Sequence, residues 1–217
     1  MIHILTDTNS IANHFLAELR DVDIQNDQMR FRKNLERIGE IFAYEISKTL
    51  SYEIKNTTTP LGEAKTQLLI QNPILATILR AGLPLHQGLL NIFDQSDCAF
   101  IATYRKTRKS GEFEIYKEYQ TTPDLNGRTV IISDAMLATG KSMVLVCKEL
   151  FAQYKIKKLH VVSAIASEAG LEHAKAFLPN ASFWIGAVDA ELTSKAYIVP
   201  GLGDAGDLAY GGKGEKR

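Results

Sequence analysis

The strongest constraint on the fold is a series of short apolar runs that alternate with helix-like stretches from Pro73 onwards. The apolar runs cover residues 74–79, 98–104, 130–133, 159–165 and 183–188, and a shorter run at 196–199 ends the series. Residues 82–93, 141–154 and 168–177 have the spacing of helices. Strands that are apolar on both faces and separated by helices predict an α/β fold with a parallel sheet flanked by helices.

Helical patterns precede this series. Asp27 is placed to cap a long helix, with Asn9 or Ser10 as the cap of an earlier one over residues 11–19. The longer helix carries apolar residues at spacings of three and four, namely Phe31, Leu35, Ile38, Phe42 and Ile46. This stripe indicates part of the core or a subunit interface rather than a site.

A hairpin and one further strand complete the predicted architecture. Residues 52–56 and 66–70 predict a β-hairpin around Pro60, and residues 112–119 alternate as a half-buried strand does. The length of 217 residues suits a single domain. We expect residues 1–51 to form an N-terminal helical arm, residues 52–211 the catalytic core and residues 212–217 a loose tail.

Composition narrows the class of function. Lys and Arg together number 25, and so do Asp and Glu. The chain therefore lacks the surplus of basic residues that would indicate a nucleic-acid partner. No apolar run reaches the ~18 residues of a membrane span, and the N-terminus lacks the pattern of a signal peptide. Cys98 and Cys147 have apolar neighbours and are expected to be buried free thiols. We therefore expect a cytoplasmic protein that binds neither nucleic acid nor membranes.

Ligands of such sheets bind beyond the carboxyl ends of the strands. The polar residues at these ends are Arg80, Arg105, Asp134 and Glu168. The segment 105–111, rich in Arg and Lys, follows one of the ends. It is either a solvated hairpin or a cover for a polyanion.

One of these ends, TVIISDAMLATGKSM, carries the clearest chemical signal. An acid, Asp134, is followed by a turn of small residues and then by a helical pattern. The backbone amides of residues 138–142 can converge on one anion, which the positive end of the helix dipole favours further. The turn therefore suits a monophosphate, and Asp134 suits sugar hydroxyls, as in a ribose 5-phosphate site. An ordinary strand-to-helix turn is the alternative.

Other motifs in the chain do not point to a site. GLGDAG at 201–206 matches a dinucleotide fingerprint, but too few residues follow it for the required helix and strand. Gly140-Lys141-Ser142 lacks the glycine that a triphosphate loop needs at position 135. The histidines show no metal-binding spacing.

The turn resembles the phosphoribosyl-pyrophosphate (PRPP) loop of type I phosphoribosyltransferases, and the resemblance is strongest to the uracil phosphoribosyltransferase family. That family typically has D-P-M-L-A-T-G-G-S at this position. The segment from Pro73 to Leu83 is similar to its P-I-L-R-A-G-L, with four additional residues, and Tyr104-Arg105 to its Y-R. Residues 197–207, YIVPGLGDAGD, match nearly the whole uracil loop.

The resemblance implies the Rossmann-like type I fold with an N-terminal helical arm and a β-hairpin hood. It implies transfer of phosphoribose from PRPP to N1 of uracil, giving UMP and pyrophosphate in pyrimidine salvage. A homodimer or higher homo-oligomer is also implied. Mg²⁺ is expected to arrive with PRPP, with no metal site built by protein side chains alone. A non-catalytic pyrimidine or nucleotide sensor on the same fold is the alternative function.

The family's motifs also imply site residues. Arg80, Arg105, Asp134 and Asp204 correspond to catalytic positions, with Arg80 and Arg105 at the pyrophosphate and Asp134 at the ribose hydroxyls. The residues implied to bind PRPP are these four together with Ala135, Met136, Leu137, Ala138, Thr139, Gly140, Lys141 and Ser142. The residues implied to bind uracil are Ile198, Gly203, Asp204 and Ala205.

Three residues depart from the family pattern. Ala135 replaces a proline, Lys141 replaces the second glycine of the turn, and Leu208 stands where a basic residue is common. Lysine at position 141 would cost ~1–2 kcal/mol if the backbone there required a positive φ. These changes bear on rate more than on the class of ligand.

Overall fold

The computed structural model describes residues 1–107 and 113–212, with the backbone alone for residues 104–107 and 113–117. Its centre is a seven-stranded sheet in the order β1-β9-β8-β7-β4-β5-β6, parallel except for β6. The strands of this sheet are β1 (Ile2–Ile4), β4 (Ile74–Leu79), β5 (Cys98–Thr107), β6 (Phe113–Thr121), β7 (Thr129–Leu137), β8 (Lys158–Ser167) and β9 (Ser182–Asp189). The prediction of an α/β fold with a mostly parallel sheet is confirmed.

Helices cover both faces of the sheet and enclose two apolar clusters. They are α1 (Ala12–Arg20), α2 (Gln28–Ser47), α3 (Leu83–Ile92), α4 (Lys141–Gln153), α5 (Glu168–Phe177) and α6 (Ala205–Tyr210). The cluster on one face is contributed mainly by α1, α2 and α3. The cluster on the other face involves α4 and α5. Because both faces are covered, strands such as β4 and β8 are buried almost throughout, as their apolar sequences predict.

The predicted stripe of α2 is part of the core. Asp27 caps this helix by accepting a hydrogen bond from the backbone N–H of Arg30 at 3.0 Å. All five residues of the stripe are at most 1% exposed. The helix also approaches α3 closely, since a Cβ on Gly88 would lie 1.9 Å from the carbonyl oxygen of Glu36. This contact fixes the position of α3, the helix that follows Arg80.

Two small antiparallel pairs stand apart from the main sheet. The predicted hairpin is β2 (Tyr52–Thr59) with β3 (Gly62–Leu69), longer than the sequence indicated. The second pair joins β10 (Glu191–Leu192) to β11 (Ile198–Val199). The prediction of a final strand at 196–199 was therefore wrong in two respects. The strand covers only its last two residues, because Ala196 adopts a positive φ of 61° in the preceding turn, and it does not join the parallel sheet.

Strand β7 continues further than predicted. We expected it to end at Ser133, but the ladder with β8 extends to Leu137. Asp134, Ala135 and Met136 are therefore strand residues and only residues 138–140 form the turn. The apolar run of the sequence ends before Asp134, whereas the backbone pairing of β7 with β8 continues to Leu137.

Among the elements that were not predicted, one strand and one helix bear on the site and the sheet. Strand β1 lies at the edge of the sheet and pairs in parallel with β9, with Ile2 opposite Phe183. Helix α6 begins inside the glycine-rich segment 201–206, where the sequence indicates only a loop. The predicted arm therefore contributes one strand to the central sheet and two helices to the core.

The remaining predictions concern the cysteines, membranes and the tail. Cys98 and Cys147 are both free thiols, but only Cys147 is buried as expected, and Cys98 is partly exposed. Burial raises the pKa of Cys147 to about 12. Within residues 1–107 and 113–212, none of the helices has the length and apolarity that a membrane crossing needs. The predicted tail lies outside the described residues from position 213 onwards.

Candidate active site

A cleft of about 740 Å³ opens at the carboxyl edge of the sheet, where the parallel-sheet rule places ligands. Three segments that are far apart in sequence meet there: the end of β4, the β7–α4 connection and the segment 195–206. The described residues that line it are Ile78, Leu79, Arg80, Ala81, Thr103, Asp134, Met136, Ala138, Ser142, Lys195, Ala196, Tyr197, Gly203, Asp204, Ala205 and Gly206. The cleft therefore brings together most of the predicted positions.

The strand part of the predicted PRPP segment alternates between the cleft and the core. Asp134, Met136 and Ala138 line the cleft. Ala135 is 0% exposed and Leu137 is 2% exposed, and they belong to the two apolar clusters of the core. Residues two apart in a regular strand share a face, whereas Ala135 and Leu137 belong to clusters on opposite faces of the sheet, so the end of β7 departs from regular alternation. Ala135 and Leu137 support the site from behind rather than lining it.

The turn after β7 is shaped by one glycine. Gly140 has φ 69° and is the N-cap of α4, which begins at Lys141. A Cβ at position 140 would lie 2.5 Å from the carbonyl oxygen of Gly170, so the position requires glycine on two grounds. Lys141 itself is the first helical residue and does not have a positive φ. The backbone cost considered for lysine at this position therefore does not arise.

This turn leads into the N-terminus of α4. The first backbone N–H groups of a helix have no partner within the helix, and the helix dipole is positive at this end. Ser142 lines the cleft from this first turn, whereas Thr139 accepts a 3.4 Å hydrogen bond from the backbone N–H of Lys141. Of the predicted turn residues, Ala138 and Ser142 border the cleft, and Thr139, Gly140 and Lys141 are not among the described lining residues.

The neighbouring strand and helix hold the turn in place. The hydroxyl of Ser167, the last residue of β8, donates to the carbonyl oxygen of Ala138 at 2.5 Å. The same hydroxyl accepts from the backbone N–H of Gly170 at 2.9 Å and so caps α5. A Cβ at Gly170 would lie 2.1 Å from the Ala138 oxygen. The turn therefore packs directly against the first turn of α5.

Arg80 enters the cleft from the end of β4. It follows a cis peptide bond with Leu79, and its Nη2 donates to Oδ1 of Asp207 at 3.2 Å. Arg105, the second predicted pyrophosphate ligand, has its backbone in β5 opposite Ile115. Its side chain, like the basic residues of the segment that follows, lies outside the described part of the chain.

Burial lowers the pKa of His86 to about 4, so this histidine of α3 is uncharged near neutral pH.

The predicted uracil-binding residues are divided between cleft and core. Gly203, Asp204 and Ala205 line the cleft, whereas Ile198 is 3% exposed and packs in the core cluster of α2 and α3. Asp204 is the N-cap of α6, and its Oδ1 accepts from the backbone N–H groups of Gly206 and Asp207 at 2.9 and 3.1 Å. The short helix thus fixes the orientation of this carboxylate.

An ion pair that sequence reasoning missed anchors the loop before Gly203. Arg20 of α1 donates to both carboxylate oxygens of Asp189 at 2.7 and 2.9 Å, and to the carbonyl oxygen of Gly201 at 3.0 Å. Asp189 also accepts from the backbone N–H of Gly201 at 2.9 Å. The partners are 169 residues apart in sequence, so no local spacing could reveal the pair. The position of Asp189 at the end of β9 was the one available signal.

The rim of the cleft opposite β7 was also missed. Lys195, Ala196 and Tyr197 line it from a turn between β10 and β11. Hydrogen bonds close this turn, with the N–H of Thr193 donating to the Tyr197 oxygen at 2.8 Å and the N–H of Ala196 to the Thr193 oxygen at 2.8 Å. The side chain of Lys195 therefore adds positive charge to the mouth of the cleft.

The parallel sheet, with an acid and a helix N-terminus at the end of its central strand, resembles the fold of type I phosphoribosyltransferases. Known structures show this likeness at the level of the fold. A hypoxanthine phosphoribosyltransferase from Staphylococcus aureus superimposes with a TM-score of 0.50 at 13% identity, covering 85% of this chain and 84% of that one. The AQ2163 protein from Aquifex aeolicus superimposes with a TM-score of 0.85 at 31% identity, covering 97% and 98%.

Sequence comparison defines the family within this class. The family model described as uracil phosphoribosyltransferase matches residues 5–212. A uracil phosphoribosyltransferase from Porphyromonas gingivalis is 49% identical over 94% of this chain and 95% of its own length. One from Thermococcus gammatolerans is 36% identical over 90% and 87%. The chain belongs to the uracil phosphoribosyltransferase family, and the predicted family resemblance is confirmed.

Proposed function

We propose that the cleft transfers the phosphoribosyl group of PRPP to N1 of uracil, releasing pyrophosphate and forming UMP. Membership of the family makes the chain a pentosyltransferase that acts on uracil in pyrimidine salvage. The observation that carries the residue assignment is the meeting, in one cleft, of Asp134, the β7–α4 turn, Arg80 and residues 203–205. The proposal below divides this cleft into a phosphoribosyl half and a base half.

The phosphoribosyl half is formed by the end of β7 and the start of α4. Asp134 accepts hydrogen bonds from the ribose hydroxyls, and the amides and hydroxyls of residues 138–142 bind the 5-phosphate. The first turn of α4 supports this role, because it directs N–H groups and the positive end of a dipole towards the anion. Each charge-assisted hydrogen bond contributes roughly 1.5–3 kcal/mol.

The base half is formed by residues 198–205. Gly203 and Ala205 offer backbone donors and acceptors to the edge of uracil, and Met136 borders the same space from β7. Gly203 has φ 92°, a conformation that lets the backbone turn towards a flat ligand. Asp204 lies between the halves, with its carboxylate held by α6. Ile198 supports the loop from the core rather than contacting the base with its side chain.

The leaving pyrophosphate gains negative charge as its bond to the anomeric carbon breaks. Arg80 and Arg105 stabilise that charge, and removal of one such donor typically costs ~2.7–4 kcal/mol of barrier. Mg²⁺, when bound with PRPP, neutralises phosphate charge. The carboxylates of Asp134 and Asp204 are hard oxygen ligands that fit this ion beside the phosphates. Among the residues that the structure describes, no three His, Cys, Asp or Glu side chains cluster as a metal site.

We further propose a cytoplasmic homodimer. The unpaired thiols Cys98 and Cys147 suit a reducing compartment. Large apolar side chains are exposed on α2 and on the β2–β3 hairpin, including Tyr44 at 60% and Ile54 at 65% exposure. Exposed apolar surface of this kind suits a subunit interface. Light scattering at several concentrations tests it, and a monomer throughout would contradict it.

The reaction is tested by incubating the protein with Mg²⁺, PRPP and each nucleobase in turn, with products separated by chromatography. UMP from uracil alone is the expected result. Binding of PRPP without product from any base would instead indicate a nucleotide sensor on the same fold.

A further inference from the structure

The guanidinium of Arg80 is held by an acid to which the proposed reaction assigns no role. Its Nη2 donates to Oδ1 of Asp207 at 3.2 Å, and the two side chains are 42% and 39% exposed. Of the described residues that border the cleft, Arg80 is one and Asp207 is not. Arg80 therefore borders the cleft, whereas Asp207, the acid that binds its guanidinium, is not among the described lining residues.

The first turn of α6 is shaped to receive this guanidinium. Asp207 lies in that turn, and Asp204 caps it by accepting from the N–H of Asp207 at 3.1 Å. Gly206 lies between the two acids, and a Cβ there would lie 3.5 Å from Nη2 of Arg80. This is an ordinary van der Waals distance, so the guanidinium packs directly against the first turn of α6. The contact joins the end of β4 to the segment that follows the base half.

The contact uses only part of the hydrogen-bonding capacity of Arg80. An arginine has five N–H donors in a fixed fork, and the structure shows one of them engaged by Asp207. The partly buried pair of Arg20 with Asp189 differs, because there both carboxylate oxygens are bound. A single bond to Nη2 can orient the group without using up the donors that a polyanion needs. The pair is therefore suited to hold Arg80 in place rather than to neutralise it.

We propose that Asp207 is a positioning residue for pyrophosphate binding. It keeps the guanidinium of Arg80 against α6, so that the remaining donors point into the cleft before the ligand arrives. This inference rests on the proposed function, in which Arg80 binds the pyrophosphate of PRPP. It predicts that Asp207 affects pyrophosphate binding only through its contact with Arg80.

A double-mutant cycle tests this dependence. Calorimetry measures binding of pyrophosphate with Mg²⁺ to the unmodified protein, Asp207→Ala, Arg80→Ala and the double variant. An exposed ion pair predicts a loss of about two- to fivefold for Asp207→Ala when Arg80 is present. When Arg80 is already absent, we expect Asp207→Ala to change the affinity very little. The same loss in both backgrounds, or no pyrophosphate binding by the unmodified protein, would overturn the proposal.

Two further variants separate positioning from a general effect of charge or of helix stability. Asp207→Asn keeps an acceptor oxygen and is expected to retain more affinity than Asp207→Ala. Glu172→Ala removes an exposed acid from α5 and is expected to leave the affinity unchanged. Equal losses for Asp207→Ala and Glu172→Ala would overturn the proposal.

The UMP assay distinguishes this proposal from the proposed function. If UMP forms but the effects of the two substitutions on pyrophosphate affinity are additive, only the role proposed for Asp207 is contradicted. If these effects are coupled but no UMP forms, only the proposed reaction is contradicted.

Discussion

The two halves of the cleft are built in different ways. The phosphoribosyl half comes from one continuous segment, residues 134–142, and its shape follows from a strand end, one glycine with positive φ and a helix start. The base half is a loop whose position depends on distant residues. Arg20 and Asp189 hold Gly201, and Arg32 of α2 donates to the carbonyl oxygen of Ala209 at 2.6 Å. Local sequence thus sets the shape of one half, with Ser167 and Gly170 packed against its turn, whereas the position of the other half depends on long-range side-chain contacts.

The largest effect is expected from a change of charge in the phosphoribosyl half. Asp134→Asn keeps the size of the side chain but removes the carboxylate at the ribose position. Loss of such a contact in the transition state predicts that turnover falls at least about tenfold, with an unchanged circular dichroism spectrum. Steady-state UMP formation measures it, and turnover close to that of the unmodified protein would remove Asp134 from the site.

A change in the backbone of the same half comes next. Gly140→Ala introduces a Cβ at a positive φ and 2.5 Å from the Gly170 oxygen. We expect the KM for PRPP to rise more than the KM for uracil, and the free energy of unfolding to fall by about 1–3 kcal/mol. Urea unfolding and initial rates measure the two effects. If the stability and both KM values of Gly140→Ala equal those of the unmodified protein, the turn does not require glycine.

The rim of the base half offers a gain in stability. Ala196 has φ 61°, which costs a non-glycine residue roughly 1–2 kcal/mol. Ala196→Gly relieves this cost but also increases the entropy of the unfolded chain, so we expect a net gain of up to about 1 kcal/mol. Thermal unfolding measures it. A loss of stability would mean that the turn at 193–197 does not need the left-handed conformation.

The smallest effect is expected at Lys141. Because this residue is the first of α4 and has no positive φ, Lys141→Gly gains nothing from glycine's freedom and loses one exposed charge. We predict that activity stays within about threefold, in line with the small energies of exposed charges. A collapse of activity would mean that the ammonium contacts a phosphate directly.

The same contrast explains which features the sequence could predict. The central strands and the helices between them follow from apolar patterns, and the structure confirms them. The turn of small residues was predicted over residues 138–142, but it covers only 138–140 because α4 begins at Lys141. Helix α6 was missed because its first turn contains Gly206, which indicates a loop. The burial of Ala135 and Leu137 was missed because the apolar run stops at Asp134 while the backbone pairing continues. The Arg20–Asp189 pair joins residues 169 positions apart, a contact without a local signal.

The central claim is that the two halves of the cleft are supported separately. Its most direct test is to measure the KM for uracil and the KM for PRPP in Arg20→Lys. Lysine keeps the charge but lacks the planar fork that binds both oxygens of Asp189 and the Gly201 carbonyl. Arg30→Lys is the matched control, because Arg30 makes an equivalent two-bonded pair with Glu18 at 2.9 and 2.6 Å, on an exposed surface. We predict that Arg20→Lys raises the KM for uracil several-fold and leaves the KM for PRPP unchanged, while Arg30→Lys alters neither. Equal increases in both KM values for Arg20→Lys would contradict the account, because the two halves would then share one support.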